Sequence, residues 1–296
     1  MYSTKSKGYN TKNSRYVREN IETISQEYLN NTGLTELSKK YNVAPSTIKK
    51  ALIDYGVKLR TRSEVKRLED IKNPCLGNGR KYTLNFDYFK TWSREMAYIV
   101  GFIGADGNIS KYNRLKITLQ EQDKQILDDI SKALSYSGEI NSITIKLNGK
   151  VYKACELSIV SKYLAQSLID IGITPRKSFT LSMSLIPNEY KLDFIRGYFD
   201  GDGSIGEQWA KRSKTPCMRV RFATGSETLA YEIVEELEKY GVKRVNISKS
   251  KDSQIYNIEY SQKASKKIYE LFYKDATIFL QRKKDKFDSI IKKQTI

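Results

Sequence analysis

The sequence predicts an α+β protein, in which a small all-α N-terminal domain precedes two pseudo-symmetric αββαββα units forming a β-saddle. Three observations predict this. One apolar stretch occurs twice, as Ile99-Val100-Gly101-Phe102-Ile103-Gly104-Ala105-Asp106-Gly107-Asn108-Ile109 and Ile195-Arg196-Gly197-Tyr198-Phe199-Asp200-Gly201-Asp202-Gly203-Ser204-Ile205. Each copy leads into segments that alternate apolar and polar residues, with a helix-period segment between them. Before residue 70 there is no alternation, only short helix-period segments separated by turn residues. A repeat this long marks two similar units rather than a solenoid.

Residues 1–15 are polar, rich in Lys and Asn, and read as an arm. A helix is predicted from Val17 to Tyr28. A second runs from Leu34 to Tyr41, with Leu34, Leu37 and Tyr41 on one face. Asn42-Val43-Ala44 makes a tight connection, and Pro45 suits the first turn of a third helix. That helix turns Ile48 and Leu52 inward and ends near Gly56, leaving Ser46, Thr47, Lys49 and Lys50 outward. Helix, short turn and helix with a polar, basic second face is the helix-turn-helix pattern. A plain helical bundle with a solvated basic face is the alternative. Residues 1–70 are accordingly read as a helix-turn-helix DNA-binding domain with a basic arm, and residues 71–90 as a linker. Lys58, Arg60, Arg62, Lys66 and Arg67 form a basic tract at this junction, and Asn73-Pro74 and Gly77-Asn78-Gly79 punctuate the linker. The first repeated unit spans 91–186 and the second 187–296.

In the first unit the repeated stretch is apolar all round, which predicts a buried helix. Ala97, Gly101 and Gly104/Ala105 lie on one face, as do Gly197 and Gly201 in the second copy, so two backbones can approach closely along it. Gly107 and Gly203 suit the left-handed position that ends a helix. Asp106 and Asp202 then fall in the last turn, where the helix dipole disfavours an acid. If the helices pair, the two carboxylates also repel, by about 4 kcal/mol at roughly 4 Å and an effective dielectric near 20. A shared cation makes such a pairing sensible, and hard carboxylate oxygens suit Mg²⁺. The bland alternative is an Asp-Gly turn into the next strand, which two copies in one helical context disfavour.

After Gly107, Arg114, Lys116, Thr118 and Gln120 share one strand face, and Leu115, Ile117 and Leu119 the other. A helix follows from Asp123 to Leu134. A hairpin alternates Ser142, Thr144 and Lys146 with Ile143, Ile145 and Leu147, turns at Asn148-Gly149 and returns through Tyr152, Ala154, Glu156 and Ser158. A helix from Lys162 to Ile171 closes the unit. The second unit repeats the order: Ser204–Glu207, an excursion over Trp209–Pro216, a strand Arg219–Phe222, a helix Glu227 to Tyr240, a hairpin Val245 to Tyr260 and a helix Ala264 to Phe272. Arg176-Lys177-Ser178-Phe179 follows the last helix of the first unit, and Arg282-Lys283-Lys284 that of the second.

The repeated stretches resemble the LAGLIDADG motif, and residues 84–296 resemble a single-chain, two-motif LAGLIDADG homing endonuclease. Gly101, Ala105, Asp106 and Gly107 fit the first motif, and Gly197, Asp200, Asp202 and Gly203 the second; Gly104 departs where the family often has an acid. The resemblance implies a site-specific double-strand DNA endonuclease that needs Mg²⁺ or Mn²⁺ and cuts across the minor groove, leaving short 3′ overhangs. It implies that Asp106 and Asp202, with the adjoining Ala105 and Gly201, hold the metal. It implies that Lys177 and Lys283 serve the scissile phosphates, and that Gln120 touches the solvent network. Thr224-Gly225-Ser226 of the second unit has no obvious counterpart to Gln120. Outward strand faces are expected to read a long double-stranded target, through Arg114, Lys116, Lys146, Tyr152 and Glu156 in the first unit and Arg219, Arg221, Asn257 and Glu259 in the second. Two alternatives stay open: a group I intron maturase binding RNA on the same fold, and a transcription regulator that binds DNA without cutting. No splicing-type termini flank the motifs, which disfavours an intein.

Composition sets the outer limits. A net charge of +18 points to a polyanion partner. With no histidine, His-dependent catalysis and His-ligated zinc are excluded. Cys75, Cys155 and Cys217 are odd in number and far apart, which disfavours a disulfide framework or a Cys₄ zinc site. The N-terminus has no apolar signal region, and no apolar run approaches membrane-spanning length. The expectation is a soluble, cytoplasmic, intron-encoded monomer in a reducing compartment with no membrane partner. High Lys, Asn, Ile and Tyr content suggests an AT-rich genome, such as that of a phage or a low-GC bacterium.

Overall fold

The computed structural model describes residues 12–72, 82–209 and 216–295. The chain divides into two compact units, Met1–Lys81 and Tyr82–Ile296.

The N-terminal unit contains α1 (Lys12–Glu19), α2 (Ile21–Leu29), α3 (Leu34–Lys40), α4 (Pro45–Asp54) and α5 (Arg62–Lys72). Val17, Ile24, Tyr28, Leu37, Val43, Ile48 and Leu52 form its core. The helix expected over Val17–Tyr28 is broken at Asn20, whose side-chain amide donates to the Tyr16 carbonyl at 2.9 Å. A side chain that bonds the local backbone competes with helix continuation. Residues 12–15, expected as arm, are helical; residues 1–11 and the Asn73-Pro74 and Gly77-Asn78-Gly79 signals lie outside the described residues. Helices α3 and α4 are joined through Asn42, whose φ of 50° is left-handed and which Asn tolerates. The basic tract, within the expected 1–70 domain, packs onto it and continues into a helix. Arg60 is folded back over the Tyr28 ring, 4.2 Å from its centroid, and Arg62 begins α5.

The second unit follows the predicted order in both halves. The first half contains α6 (Arg94–Asp106), β1 (Gly107–Ile109), β2 (Arg114–Gln120), α7 (Lys124–Ala133), β3 (Asn141–Leu147), β4 (Lys150–Val160) and α8 (Lys162–Asp170). The second contains α9 (Lys191–Asp202), β5 (Ser204–Gln208), β6 (Cys217–Thr224), α10 (Glu227–Lys239), β7 (Ile247–Lys249), β8 (Tyr256–Ser261) and α11 (Lys263–Tyr273). Each half carries a four-stranded antiparallel sheet, in the orders β1-β2-β4-β3 and β5-β6-β8-β7. The fold is therefore α+β with two matching sheets. A last helix, α12 (Gln281–Thr295), goes beyond the elements expected from the sequence. Its Lys-rich sequence hides a short apolar stripe, of which Phe287 and Ile290 are wholly buried. Of the expected linker 71–90, the stretch 84–89 is packed: Leu84, Phe86 and Phe89 are buried in the large core, and the Asn85 amide donates to the Leu134 carbonyl at 2.8 Å.

Helices α6 and α9 form the axis of this unit. A methyl group added at Gly101 would collide with the Phe194 carbonyl, and one at Gly197 with the Tyr98 carbonyl. Near the helix ends, one at Gly201 would collide with Ala105. These reciprocal contacts run in order along both helices, so they lie side by side in the same direction. Gly104 takes no part in the backbone approach: its nearest neighbours are the side chains of Leu181, Phe194 and Tyr198. Gly107 and Gly203 are not left-handed as expected; their φ values are −81° and −76°, with ψ extended. Space, not backbone twist, requires glycine there, because a side chain would strike Ile103 and Phe199 one turn back.

Candidate active site

The helix pairing brings Asp106 and Asp202 to the same end of the two helices. Each is the last residue of its helix. Asp106 is half-buried, and a methyl group on Gly201 would sit 3.1 Å from its Oδ2. Burial pushes its carboxyl up to about 6, and the neighbouring Asp202 charge adds to the rise, while Lys283 and Lys177 oppose it. Asp202 reaches solvent more fully. Its carboxyl is also raised by burial, while the nearby Tyr198 hydroxyl, which donates to the Ala223 carbonyl at 3.0 Å, and the two ammoniums oppose the rise. The residue matching Tyr198 in the first half is Phe102, which has no hydroxyl to offer Asp106. The two acids are thus inequivalent.

The predicted lysines arrive as a pair. Lys177 is 7% exposed, and its ammonium donates to the Gly107 carbonyl, just past the end of α6. Lys283 is 5% exposed and donates to the carbonyls of Phe199, Gly201 at 3.2 Å and Gly203 at 2.6 Å, around the end of α9. Carbonyls at a helix C-terminus carry partial negative charge and lack intrahelical partners. A buried ammonium supplies both the hydrogen bonds and the countercharge. Burial lowers both lysines below their ordinary value, Lys283 to about 8, and nearby carboxylates oppose that fall. Two acids and two lysines therefore meet at one end of the α6–α9 pair.

Asp200, the acid without a counterpart in the first motif, has a different occupation. It is buried and accepts from Tyr98 Oη at 2.8 Å, Tyr273 Oη at 2.6 Å and the Leu280 amide at 2.8 Å. Its carboxyl is raised by burial. The matching pair on the other side is Gly104 facing Phe194. Phe has no hydroxyl to satisfy, so no acid is needed opposite it. The departure at Gly104 belongs to the helix interface and leaves the carboxylate pair intact.

Other predicted residues divide. Gln120 is exposed at the end of β2, where it accepts a hydrogen bond from Gln122 at 2.7 Å. Arg114 and Lys116 share a sheet face with Tyr152 and Glu156, as the strand register requires, and Lys116 pairs with Glu156 at 2.6 Å. Lys146 lies opposite Val151 and so falls on the other face, contrary to expectation. The hairpin tip there is exposed on both sides, Ile145, Leu147, Val151 and Tyr152 included. With neither face buried, polar–apolar alternation does not report which side is out. In the second sheet Arg219, Arg221, Asn257 and Glu259 do share one face, and both arginines grip Glu259, Arg219 at 2.8 Å. Ser46, Lys49 and Lys50 are exposed on α4, with Thr47 half-buried. Ser46, Thr47, Lys50 and Asp54, with Ser14 and Arg18 of α1, line a cleft of about 210 Å³.

Among the described residues no group of three or more His, Cys, Asp or Glu side chains could hold a metal ion, and no helix is long and apolar enough to cross a membrane. Sequence reasoning placed Asp123 only at the start of a helix and Ser226 only in a segment without a counterpart; in the structure Arg282 donates to Asp123 at 3.0 Å and Ser226 Oγ donates to the Leu181 carbonyl at 2.6 Å.

Among curated proteins, a DNA polymerase of Thermococcus hydrothermalis is 27% identical over 174 residues, and one of Thermococcus kodakarensis 25% over 172. Each alignment covers 55% of this chain and 9% of the polymerase, so the chain spans about a tenth of those relatives. Among solved structures, meganuclease I-SmaMI bound to uncleaveable DNA aligns over 67% of this chain and 90% of its own, at 14% identity and a TM-score of 0.46. Homing endonuclease I-WcaI bound to its DNA recognition sequence aligns over 68% and 90%, at 16% identity and a TM-score of 0.46. Residues 189–275, which hold α9, its carboxylates and the second sheet, match the family model of the LAGLIDADG-like domain.

Proposed function

We propose that this chain is a site-specific, divalent-metal-dependent double-strand DNA endonuclease acting as a pseudo-dimeric monomer. One observation carries the reading: two raised carboxylates converge at paired helix ends, each half contributing one acid and one buried lysine. Such crowding of like charge against two helix C-termini is unfavourable in the free protein. A cation relieves it, and a phosphodiester beside that cation completes its oxygen ligands. The match of residues 189–275 to a LAGLIDADG-like domain agrees with this reading, and the first half, outside that match, has the same strand order.

The donor set fits Mg²⁺ or Mn²⁺. Asp106 and Asp202 would offer hard oxygen ligands beside the adjoining carbonyls of Ala105 and Gly201, the latter already accepting from the Lys283 ammonium at 3.2 Å. The bound ion supplies a polarised phosphate and a more acidic water. The chain's own residues do the rest. Asp106 and Asp202 would hold the ion and can accept hydrogen bonds from water at the helix ends, and their pairing holds the two halves' centres a short distance apart. Lys177 and Lys283 stand ready to neutralise charge at the phosphates, and the helix-end carbonyls fix where their ammoniums lie. Gln120, exposed at the strand end, can order water at the edge of the site. Arg114, Lys116, Tyr152 and Glu156 on one sheet, and Arg219, Arg221, Asn257 and Glu259 on the other, supply base-edge and phosphate contacts. Glu156 already pairs with Lys116, and Glu259 with Arg219 and Arg221, so DNA has to compete for these cations, which favours sites able to satisfy both partners. The N-terminal unit adds phosphate contacts through Ser46, Thr47, Lys49 and Lys50.

Selection of cleaved products from a randomised DNA library, with Mg²⁺, tests the reading and identifies the site. On a plasmid carrying that site the parent should linearise the DNA with Mg²⁺. Asp106→Asn and Asp202→Asn should each abolish or severely reduce linearisation while keeping DNA affinity equal to or above the parent's. Near-parent cleavage by both variants would make these residues simple turn acids. Preferential binding of structured RNA, with no Mg²⁺-dependent cleavage of any DNA, would favour a maturase instead.

A further inference from the structure

We propose that Asp123 and Ser226 are positioning residues, each holding in place the lysine-bearing segment of the opposite half. Each lysine ammonium caps the motif helix of its own half, yet the chain that carries it is anchored across the pseudo-twofold axis. Arg282, immediately before Lys283, makes a bidentate pair with Asp123 of the first half: Nε to Oδ1 at 3.0 Å and Nη2 to Oδ2 at 3.0 Å. The Asp123 side chain is only 6% exposed, and a planar fork on a buried carboxylate fixes direction as well as distance. The segment after Lys177 is held from the second half. Ser226 Oγ donates to the Leu181 carbonyl at 2.6 Å, and Glu232 accepts from Ser182 Oγ at 2.8 Å and the Met183 amide at 2.7 Å. Gly225 lies so close that a methyl group on it would sit 2.7 Å from the Ser178 carbonyl.

Asp123 and Ser226 occupy matching places, each the residue just before the helix that follows its half's second strand. The chemistry differs, an ion pair on one side and a hydroxyl with a close backbone contact on the other, but the crossing is reciprocal. Thr224-Gly225-Ser226, which has no role as a counterpart to Gln120, is accounted for as this anchor. The helix-end carbonyls hold each ammonium, but a lysine stem is long and flexible, so a fixed backbone is what keeps the ammonium from being drawn off them. Each centre is therefore completed from the other half, and an injury to one half's anchor is felt at the other half's lysine.

The strand-cleavage arm of the test rests on the endonuclease reading; the labelling arm does not. Full-length parent, Asp123→Asn, Ser226→Ala and the charge swap D123R/R282D are treated with an amine-reactive reagent without DNA or metal, and labelling at Lys177 and Lys283 is read by mass spectrometry. Asp123→Asn should raise labelling at Lys283 several-fold and leave Lys177 unchanged. Ser226→Ala should do the reverse, and the swap should return Lys283 toward the parent. With the cognate DNA, the two single variants should slow opposite strands by about ten- to a hundredfold, the loss typical of a small misplacement, and accumulate nicked product. Equal labelling changes at both lysines, no change at either, or slowing of the same strand by both variants would overturn the proposal. The expected labelling with no cleavage by the parent would leave the positioning role standing and sink the endonuclease reading.

Discussion

At the scale of single residues, Asp106 is the most informative group in the chain. Its carboxyl stands at about 6 in the folded protein, against an ordinary value of 3.8, because burial and then Asp202 penalise its charge. A group raised on folding lends stability fully below its unfolded value and loses that contribution as pH rises through its folded value. Without metal, stability attributable to Asp106 should therefore fall as pH rises from about 4 to about 6, and stay low above that. Lys283 has the opposite sign: lowered from 10.5 to about 8, its contribution is present above 10.5 and lost as pH falls through about 8. Thermal melts of Asp106→Asn at pH 7 should show a higher midpoint than the parent, and melts between pH 4 and 6 a flatter profile; a lower midpoint would mean the carboxylate is a net stabiliser. A proton and a metal compete for the same oxygens. Mg²⁺ affinity, read as the metal-induced rise in melting temperature or by calorimetry, should then drop by about tenfold per pH unit below pH 6, if one proton is displaced, and be much weaker in the variant. An affinity flat from pH 5 to 7 would place the cation elsewhere. The Asp106–Asp202 pair is legible in the sequence because an acid at an apolar helix end, repeated in a second copy, is electrostatically unfavourable unless a cation sits beside it. Asp200's role is not legible there, since Tyr98, Tyr273 and Leu280 come to it from three distant parts of the chain.

Among elements, the α6–α9 pair sets the geometry of the site. Gly101→Ala adds a methyl group against the Phe194 carbonyl, and Gly197→Ala one against the Tyr98 carbonyl. Backbone cannot swing aside as a side-chain tip can, so the helices have to separate. Overpacking of this kind costs about 1–3 kcal/mol and sometimes more, although alanine favours the helix itself by about 1 kcal/mol. Denaturant titrations should find both variants destabilised by about that overpacking figure. Gly206→Ala in β5, where nothing lies within 4 Å of the added methyl, should be close to neutral. Equal effects at all three sites would mean that the helix axes are not in close contact. That glycine face is readable from spacing alone. The ends of these helices are not, because Gly after Asp suggests a left-handed turn, whereas the local crowding by Ile103 and Phe199 is a tertiary fact. Helix α12 escapes a sequence reading for a related reason: Phe287 and Ile290 look isolated among lysines until Phe199, Tyr269 and Tyr273 supply the rings that Phe287 packs against. Lys146 falls on the unexpected face because alternation reports burial, and its hairpin tip has none.

For the whole molecule, the division at Lys81 and Tyr82 makes a direct prediction about affinity and cleavage. The large core begins at Leu84, and the core of the N-terminal unit ends with residues near Leu59, so each unit has a core of its own. A chain of residues 82–296 should therefore fold with its own cooperative transition, unshifted from the corresponding transition of the full chain. A truncation placed at residue 90, where the sequence suggests the linker ends, would instead strip Leu84, Phe86 and Phe89 from the core and should fold poorly. If α4 and its neighbours touch DNA, the 82–296 chain should bind the cognate site more weakly and with a shallower salt dependence. Every phosphate that the shortened chain leaves unneutralised lowers the slope of log affinity against log salt by about 0.9 on duplex DNA. Cleavage should persist at higher protein concentration, because Asp106, Asp202, Lys177 and Lys283 all lie after the division. Footprinting and binding titrations across salt, on the full and shortened chains, decide the matter. An unchanged footprint with an unchanged slope would leave the N-terminal unit a bundle with a solvated basic face, and the charge of the large unit alone would then have to account for DNA affinity.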